Sequence, residues 1–421
     1  MKILLIGSGA REHAIAHRIR RENPKAELLA IPGNPGLTEL SVRCLIDERM
    51  DSIESLRAIA LKERPDFVVV GPELPLSLGV IDMLRAEGIA AVGPTAAAAR
   101  LESSKSFAKS VMQAANIATA RSCLTKNSKE LDSALVEFGL PVVLKADGLA
   151  AGKGVVVCHT AEELGHARIF FSADLKATEI LVEEFLAGVE ATLMIATNGT
   201  RVVFLPTAHD YKRALDGDLG ANTGGMGSVS PTPRLTPEQI LWCAVNIIDP
   251  LLAEMRARGT PFTGFLYAGL MISPSGKISV IEFNARLGDP ETQSALAMLN
   301  GSFTDGLRWM AQLINEAPIW GTDSGCAVSV VAASAGYPAA ALNTDCEIDG
   351  ILLALNFPNI AVYQAGTRLE ARKLLTAGGR VLTVTAKANS GSEAVRLVYR
   401  ALDVIQFKGR MARRDIGGEI R

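Results

Sequence analysis

Across residues 281–293 the chain reads Ile-Glu-Phe-Asn-Ala-Arg-Leu-Gly-Asp-Pro-Glu-Thr-Gln, and three of these side chains could do chemistry together. The strand-like stretch Gly276 to Ile281 runs directly into Glu282 and Asn284. Alternate residues of a strand share a face, so the carboxylate and the amide oxygen are predicted to point the same way. Two hard oxygen donors suit Mg²⁺, which binds through one or two carboxylates and completes its shell with water and nucleotide phosphates. Arg286 follows at the same parity and could present a guanidinium fork to a carboxylate or a phosphoryl group. The competing reading is a strand end closed by a polar Gly288-Asp289-Pro290 turn, and a bare Glu-x-Asn does not decide between the two.

A phosphate ligand would need cations and backbone N–H groups, and the middle of the chain offers both. Pro141 to Lys145 reads as a strand that delivers a lysine into the loop Ala146 to Gly154, with Gly148, Gly152, Lys153 and Gly154, before the strand Val155 to Val157. A glycine-rich loop between two strands can cradle phosphates, but it is not a Walker loop, which a helix must follow. The strand Glu179 to Val182 enters Glu183-Glu184-Phe185-Leu186 and then Glu190. Backbone groups of such a connection could pair with an adenine edge while a carboxylate takes ribose hydroxyls. His209 to Arg213 and Asn222 to Gly227 read as a cationic segment and a polar loop, with a solvated charge run and a surface turn as the plain alternatives. Leu101 to Met112 reads as one helix.

The elements that must carry these groups begin with an α/β alternation. Strands are predicted at Lys2–Ile6, Leu28–Ile31, Asp66–Val70 and Ile89–Val92, with helices at Arg11–Arg21 and Leu76–Glu87, which implies an open parallel sheet over the first hundred residues. Gly33-Asn34-Pro35-Gly36, Gly71-Pro72-Glu73 and Gly93-Pro94-Thr95 follow the later strands, and ligands of such sheets bind beyond the strands' carboxyl ends. Gly7-x-Gly9 starts like a dinucleotide fingerprint, but the third glycine position is Glu12, so a phosphate there is the better reading than a nicotinamide or flavin. His13 and His17 share a helix face without a third ligand nearby, which is usually a surface feature, not a zinc site. The last hundred residues, with Val328–Val331, Arg380–Thr385 and a helix at Ser392–Leu402, read as an antiparallel sheet and its covering helix.

Composition fits this layout. The 421 residues correspond to roughly three domains, and 48% hydrophobic content supplies large cores. A net charge of −2 without a long basic tract argues against nucleic acid as a partner, and the basic run Lys408 to Arg414 reads as a solvated tail. No apolar segment approaches a membrane span or the core of a signal peptide. The six scattered cysteines form no Cys-x-x-Cys pair and read as buried thiols of a reducing cytoplasm.

Taken in order, Gly7-x-Gly9-x-Arg11-Glu12-His13, Pro32-Gly33-Asn34-x-Gly36, Gly71-Pro72-Glu73-x-Pro75, Lys145 to Gly154, Asn222 to Gly227, Gly264 to Met271 and Arg286-x-Gly288-Asp289-Pro290-Glu291-Thr292-Gln293 resemble the phosphoribosylamine–glycine ligase family, ATP-grasp enzymes of purine biosynthesis. The resemblance implies an N-terminal α/β domain over 1–102, an ATP-grasp domain over 103–320 with a lid at about 122–188, and a C-terminal α+β domain over 321–421. It implies ligation of glycine to 5-phosphoribosylamine through glycyl phosphate, with ATP and Mg²⁺ or Mn²⁺, by a cytoplasmic monomer or weak homodimer.

By motif, Lys105, Lys145, Gly152, Lys153 and Gly154 would meet ATP phosphates, and Lys212 the γ-phosphate. Glu183, Glu184, Phe185 and Leu186 would form the adenine hinge and Glu190 the ribose ligand, while Glu282 and Asn284 would hold the metal. Arg286 would stabilise the acyl phosphate. Asp289 and the loop of Asn222, Thr223, Gly224 and Gly225 would position glycine or the ribosylamine. Gly9, Arg11, Gly33, Asn34, Gly71 and Glu73 would form the ribosylamine side. The chain departs from the family's pattern at Tyr211, at Leu287 and in a shortened stretch between Phe170 and Glu179. A formate- or bicarbonate-using ligase of the same superfamily, or a non-catalytic nucleotide-binding descendant, are the alternatives.

Overall fold

The computed structural model describes residues 1–149, 154–175, 177–339, 342 and 344–420. Its N-terminal sheet has five parallel strands in the spatial order Arg43–Cys44, Glu27–Pro32, Lys2–Gly7, Phe67–Val70, Ala91–Val92. Ile3–Ile6, Leu28–Ile31 and Phe67–Val70 are buried residue by residue, as strands covered on both faces must be. The strand Arg43–Cys44 has too little apolar pattern to be anticipated. The expected helix over 76–87 is two, Glu73–Ser77 and Val80–Ala86, because Gly79 takes a left-handed φ of 90° between them. Strand order reverses between Lys2–Gly7 and Phe67–Val70, so the loops at Gly9 and Gly71 lie together at the sheet's switch point.

The single helix expected over 101–112 is also broken. Ala96–Ser103 ends at Ser104, whose extended backbone starts a second helix, Lys105–Ala114, and whose hydroxyl accepts the Phe107 N–H at 3.2 Å. Asp147 accepts the N–H groups of Lys105 and Ser106 at the same helix start, so a carboxylate from a remote loop supports a break that local periodicity does not show.

Two four-stranded antiparallel sheets follow. One orders Ser122–Thr125, Ile180–Glu184, Val142–Ala146 and Val155–Cys158; the other orders Val202–Phe204, Val189–Thr197, Gly264–Ile272 and Ile278–Asn284. A further antiparallel sheet orders His209–Asp210, Gly227–Ser230, Cys326–Ala333, Arg380–Ala388 and Ile360–Gln364, with Gly391–Val404 packed on it. This sheet takes two strands from before residue 231 and three from after 325, so the central and C-terminal segments share hydrogen-bonded structure.

Two surface expectations fail. His13 is buried, its Nδ1 accepts the Gln364 N–H at 2.9 Å, and both His13 and His17 pack edge-on against Tyr363. The pair therefore seals the N-terminal helix Ala10–Glu22 against the C-terminal sheet. The basic run is not a solvated tail either: Arg413 is only 2% exposed and binds Asp218 and Asp415, each at 2.7 Å. The cysteines are free thiols, and of the six expected to be buried Cys158, Cys243 and Cys326 are, whereas Cys44, Cys123 and Cys346 are only partly covered; no helix among the described residues is long and apolar enough to cross a membrane.

Candidate functional site

A cavity of about 440 Å³ opens where the N-terminal switch point, the two four-stranded sheets and the C-terminal sheet meet. Three of its lysines are placed by regular structure. Lys145, on Val142–Ala146, pairs with Glu183 at 2.9 Å and donates to the Ile281 carbonyl at 3.2 Å. Lys109 reaches the same carboxylate at 3.2 Å from one turn beyond Lys105. Lys105 donates to the Gly148 carbonyl at 2.9 Å. Burial lowers the pKa of Lys105, and lowers that of Lys109 to about 8 despite Glu183. Cations stripped of water in this way favour a polyanion that replaces it.

Opposite them, Ile278–Asn284 carries Glu282 and Asn284 into the cavity, and both line it as alternation requires. A bulge in the pairing with Gly264–Ile272 falls at Ile281, immediately before the acidic residue. Among the described residues Glu282 has no nearer charged partner than Lys212 at 4.0 Å. Burial alone would raise its pKa, but Lys212, Lys145, Lys105 and Arg286 outweigh burial and hold it below the usual carboxylate value. An ionised carboxylate beside an amide oxygen whose closest donor, Arg286 Nη2, stands at 3.5 Å is a donor pair with free lone pairs, and it fits Mg²⁺ or Mn²⁺.

His209 to Arg213 is not a solvated run. Asp210 and Lys212 line the cavity, and Lys212 pairs with Glu190 at 2.6 Å. Burial pushes Asp210 up to about 8, and burial also raises Glu291. Arg286 binds Glu102 at 2.8 Å, and its buried Nε stands 3.4 Å from a Glu73 carboxylate oxygen without forming a hydrogen bond. Burial works against the charged guanidinium, but Glu102 and Glu73 more than compensate and raise its pKa.

On the switch-point side Glu12 explains its own presence in place of a glycine. Its carboxylate turns back to accept the Gly9 N–H at 2.6 Å and the Arg11 Nε–H at 2.6 Å. A Cβ at Gly71 would stand 1.9 Å from Glu12 Oε1, so the glycine there makes room for the carboxylate. Arg11 also donates to the Leu287 carbonyl at 3.0 Å. Asp289 is held by Gln293 at 2.7 Å and by Arg380 at 3.4 Å, and Arg380 donates to the Gly224 carbonyl at 2.7 Å. Asp289 would be raised by burial, but Arg380 and Arg11 keep it below its ordinary value. Gly225, at φ 108°, passes so close to Pro290 that a Cβ would meet its Cδ at 2.5 Å.

Of the residues singled out from sequence, Gly9, Arg11, Glu73, Lys105, Lys145, Gly154, Glu183, Lys212, Thr223, Gly224, Glu282, Asn284, Arg286 and Asp289 line this one cavity. Gly152 and Lys153 lie outside the described residues. Gly33, Asn34, Gly71, Asn222 and Gly225 stand behind its wall: Asn34 Nδ2 binds the Ser8 and Gln364 carbonyls, each at 2.8 Å, and Asn222 reaches the Val155 carbonyl at 3.4 Å. Glu184 accepts the Arg121 N–H at 3.0 Å, Phe185 packs on His159, and neither these nor Leu186 and Glu190 form the cavity wall. Sequence reasoning missed Lys109, Glu102 and Arg380. The four-residue spacing from Lys105 was a signal for Lys109; Arg380, nearly a hundred residues beyond Arg286, had none.

The chain matches three family descriptions in succession: phosphoribosylglycinamide synthetase N domain over residues 1–102, ATP-grasp (A) domain over 103–292, and C domain over 327–419. It is 44% identical to phosphoribosylamine–glycine ligase of Streptomyces coelicolor, covering 100% of this chain and 99% of that one. It is 42% identical to the enzyme of the same name from Ralstonia nicotianae, covering 99% of each. The crystal structure of phosphoribosylamine–glycine ligase from Thermotoga maritima superposes with a TM-score of 0.83 at 31% identity, covering 99% of this chain and 100% of that one. The biotin carboxylase domain of Hydrogenobacter thermophilus 2-oxoglutarate carboxylase superposes at 0.74 with 16% identity, covering 98% and 91%, and shares the fold.

Proposed function

The chain belongs to the phosphoribosylglycinamide synthetase family, and from that membership we propose how its side chains divide the work of joining glycine to phosphoribosylamine at the expense of ATP in purine biosynthesis. A carboxylate is a poor acyl donor at neutral pH. In this reading the glycine carboxylate attacks the γ-phosphorus, ADP leaves, and the resulting glycyl phosphate gives its carbonyl carbon to the ribosylamine nitrogen with loss of phosphate. Neither His nor Cys lines the described cavity, which suits catalysis by positioning and charge neutralisation without a covalent enzyme intermediate.

The observation that carries the reading is the meeting of Lys105, Lys145, Lys212 and Arg286 with Glu282 and Asn284 in one cavity between two antiparallel sheets. Lys105 and Lys145 bind the phosphates, with Gly152, Lys153 and Gly154 in the covering loop. Lys109 holds Glu183, and through it Lys145, in place. Lys212 neutralises the transferring phosphoryl group. Glu183 to Leu186 receive the adenine and Glu190 the ribose. Glu282 and Asn284 would hold Mg²⁺ or Mn²⁺, which when bound would offset the charge of the phosphates. Arg286, held by Glu102 and Glu73, presents its guanidinium to the acyl phosphate. Asp289 and Gly224, tied together by Arg380, orient glycine and the ribosylamine along with Thr223, with Gly9, Arg11 and Glu73 on the ribosylamine side. Gly33, Asn34, Gly71, Asn222 and Gly225 shape the loops behind that wall.

The same reading divides the chain at 102 and 320, with a lid at about 122–188, and makes the protein a cytoplasmic monomer or weak homodimer. It is tested by ADP release from ATP, Mg²⁺ and freshly prepared phosphoribosylamine, with and without glycine, and by the product's mass. Glycine-dependent ADP with glycinamide ribonucleotide is the expected result; ADP formation coupled to another carboxylate would reassign the substrate.

A further inference from the structure

Lys212 is held from outside the cavity by the last residues of the chain. Asp210 and Lys212 face the cavity, while His209 and Tyr211, at the alternating positions, face Glu419. The Glu419 carboxylate accepts the Tyr211 hydroxyl at 2.7 Å, stands against His209 Nε2, and accepts Arg234 Nη2–H and Nε–H at 2.8 and 3.2 Å. Arg234 in turn donates to the Glu190 carbonyl at 2.7 Å. One carboxylate is therefore linked both to the segment 209–213 that carries Lys212, between the strands His209–Asp210 and Arg213–Leu215, and to the strand that carries Glu190, the partner of Lys212 at 2.6 Å.

The grip continues beyond Lys212. The Gly417 N–H donates to the Tyr211 oxygen at 3.0 Å, Arg413 donates to the Arg213 carbonyl at 3.2 Å and to Asp218 at 2.7 Å, and Asp415 accepts the Gly217 N–H at 2.8 Å. Residues on both sides of Lys212 are fixed to one short segment, and Lys212 itself is left facing inward. Tyr211, one of the positions where the chain departs from its family's pattern, supplies the hydroxyl at the centre of this arrangement.

We propose that residues 413–419 form a strap that positions Lys212 for phosphoryl transfer, with Glu419 as its principal positioning residue. The proposal rests on the role given to Lys212 above. A lysine ammonium is a point charge on a flexible stem, so its placement depends on the backbone that carries it, and an error of about 1 Å at a reacting centre can cost up to about a hundredfold in rate.

The test uses the full chain and two probes, the non-hydrolysable ATP analogue AMP-PNP and ADP, titrated calorimetrically into Glu419→Ala, Lys212→Met and the double variant, with ADP-formation kinetics alongside. Glu419→Ala is expected to lower kcat about tenfold and to weaken AMP-PNP more than ADP, because Lys212 serves the γ-phosphate. In the Lys212→Met background the same substitution should weaken AMP-PNP no further. Equal loss for both nucleotides, additive losses, or an unchanged kcat would overturn the strap. Should Glu419→Ala fail to fold, Tyr211→Phe, which removes only the hydroxyl, is read the same way with a loss of about threefold. Wild-type AMP-PNP affinity and turnover in Lys212→Met alone would remove the lysine's role and the strap with it, an outcome distinct from additivity.

Discussion

Two regions of this protein concentrate charge away from water, and they handle it in opposite ways. Around Arg413 and Glu419 the principal charges meet opposite charges or hydrogen-bonding groups: Arg413 has two carboxylates and a carbonyl, and Glu419 has a guanidinium, a hydroxyl and an imidazole. Around Glu282 the arrangement stays open: its nearest charged partner is 4.0 Å away, and the Asn284 oxygen beside it has its closest donor at 3.5 Å. Leaving such groups unpaired costs stability that a ligand can restore. The closed network fixes its own segment, while the Glu282 carboxylate keeps lone pairs that a ligand can take.

The contrast can be broken most sharply at Glu282. Glu282→Ala should abolish Mg²⁺-dependent ADP formation, by about a thousandfold or more, while the melting temperature stays near wild type. Near-normal turnover would remove the metal assignment, and a large fall in melting temperature would place Glu282 with the closed networks. Arg286→Lys comes next. One ammonium cannot reproduce the guanidinium fork, so kcat/KM should fall about a hundredfold, and an unchanged value would rule out its part in the chemistry.

At Arg413, at the far end of the closed network from Glu419, the expected loss is chiefly one of stability. Arg413→Met removes a buried cation from two carboxylates that keep some access to water, so unfolding should be easier by about 2 kcal/mol in urea titration. A stability equal to wild type would show that the network is surface decoration.

The smallest effect belongs to His13, at the seam between the first helix and the C-terminal sheet. Burial, helped by His17, lowers its pKa from 6.5 to about 3. The folded protein therefore refuses a proton that the unfolded chain accepts below pH 6.5, and stability falls as pH drops through that window until about 3. Between pH 7 and 5.5 the contribution is about 1 kcal/mol, and the stability difference between wild type and His13→Gln should shrink by that amount. Parallel pH profiles for the two proteins would contradict the burial argument.

What could be read in advance followed from short-range rules. The strands Lys2–Gly7 and Phe67–Val70, the inward pair Glu282 and Asn284, and Lys145 at the end of its strand all follow from apolar runs and side-chain alternation. The failures have a common cause. The helix break at Ser104 is supported by Asp147, the burial of Arg413 by Asp218 and Asp415, and that of His13 by Gln364, partners that local periodicity does not link to them. The segment Glu183 to Leu186 was legible as a strand end, but only folding showed that Glu183 turns inward between Lys109 and Lys145 while Phe185 turns out onto His159.

The sequence by itself determined which groups can do chemistry and on which side of a strand they stand, because residue type and a two-residue repeat are local properties. The tertiary structure alone decided which of those groups keep their charge free, because partnership and desolvation depend on neighbours brought together from the N-terminal helix, the two central sheets and residues 413–419.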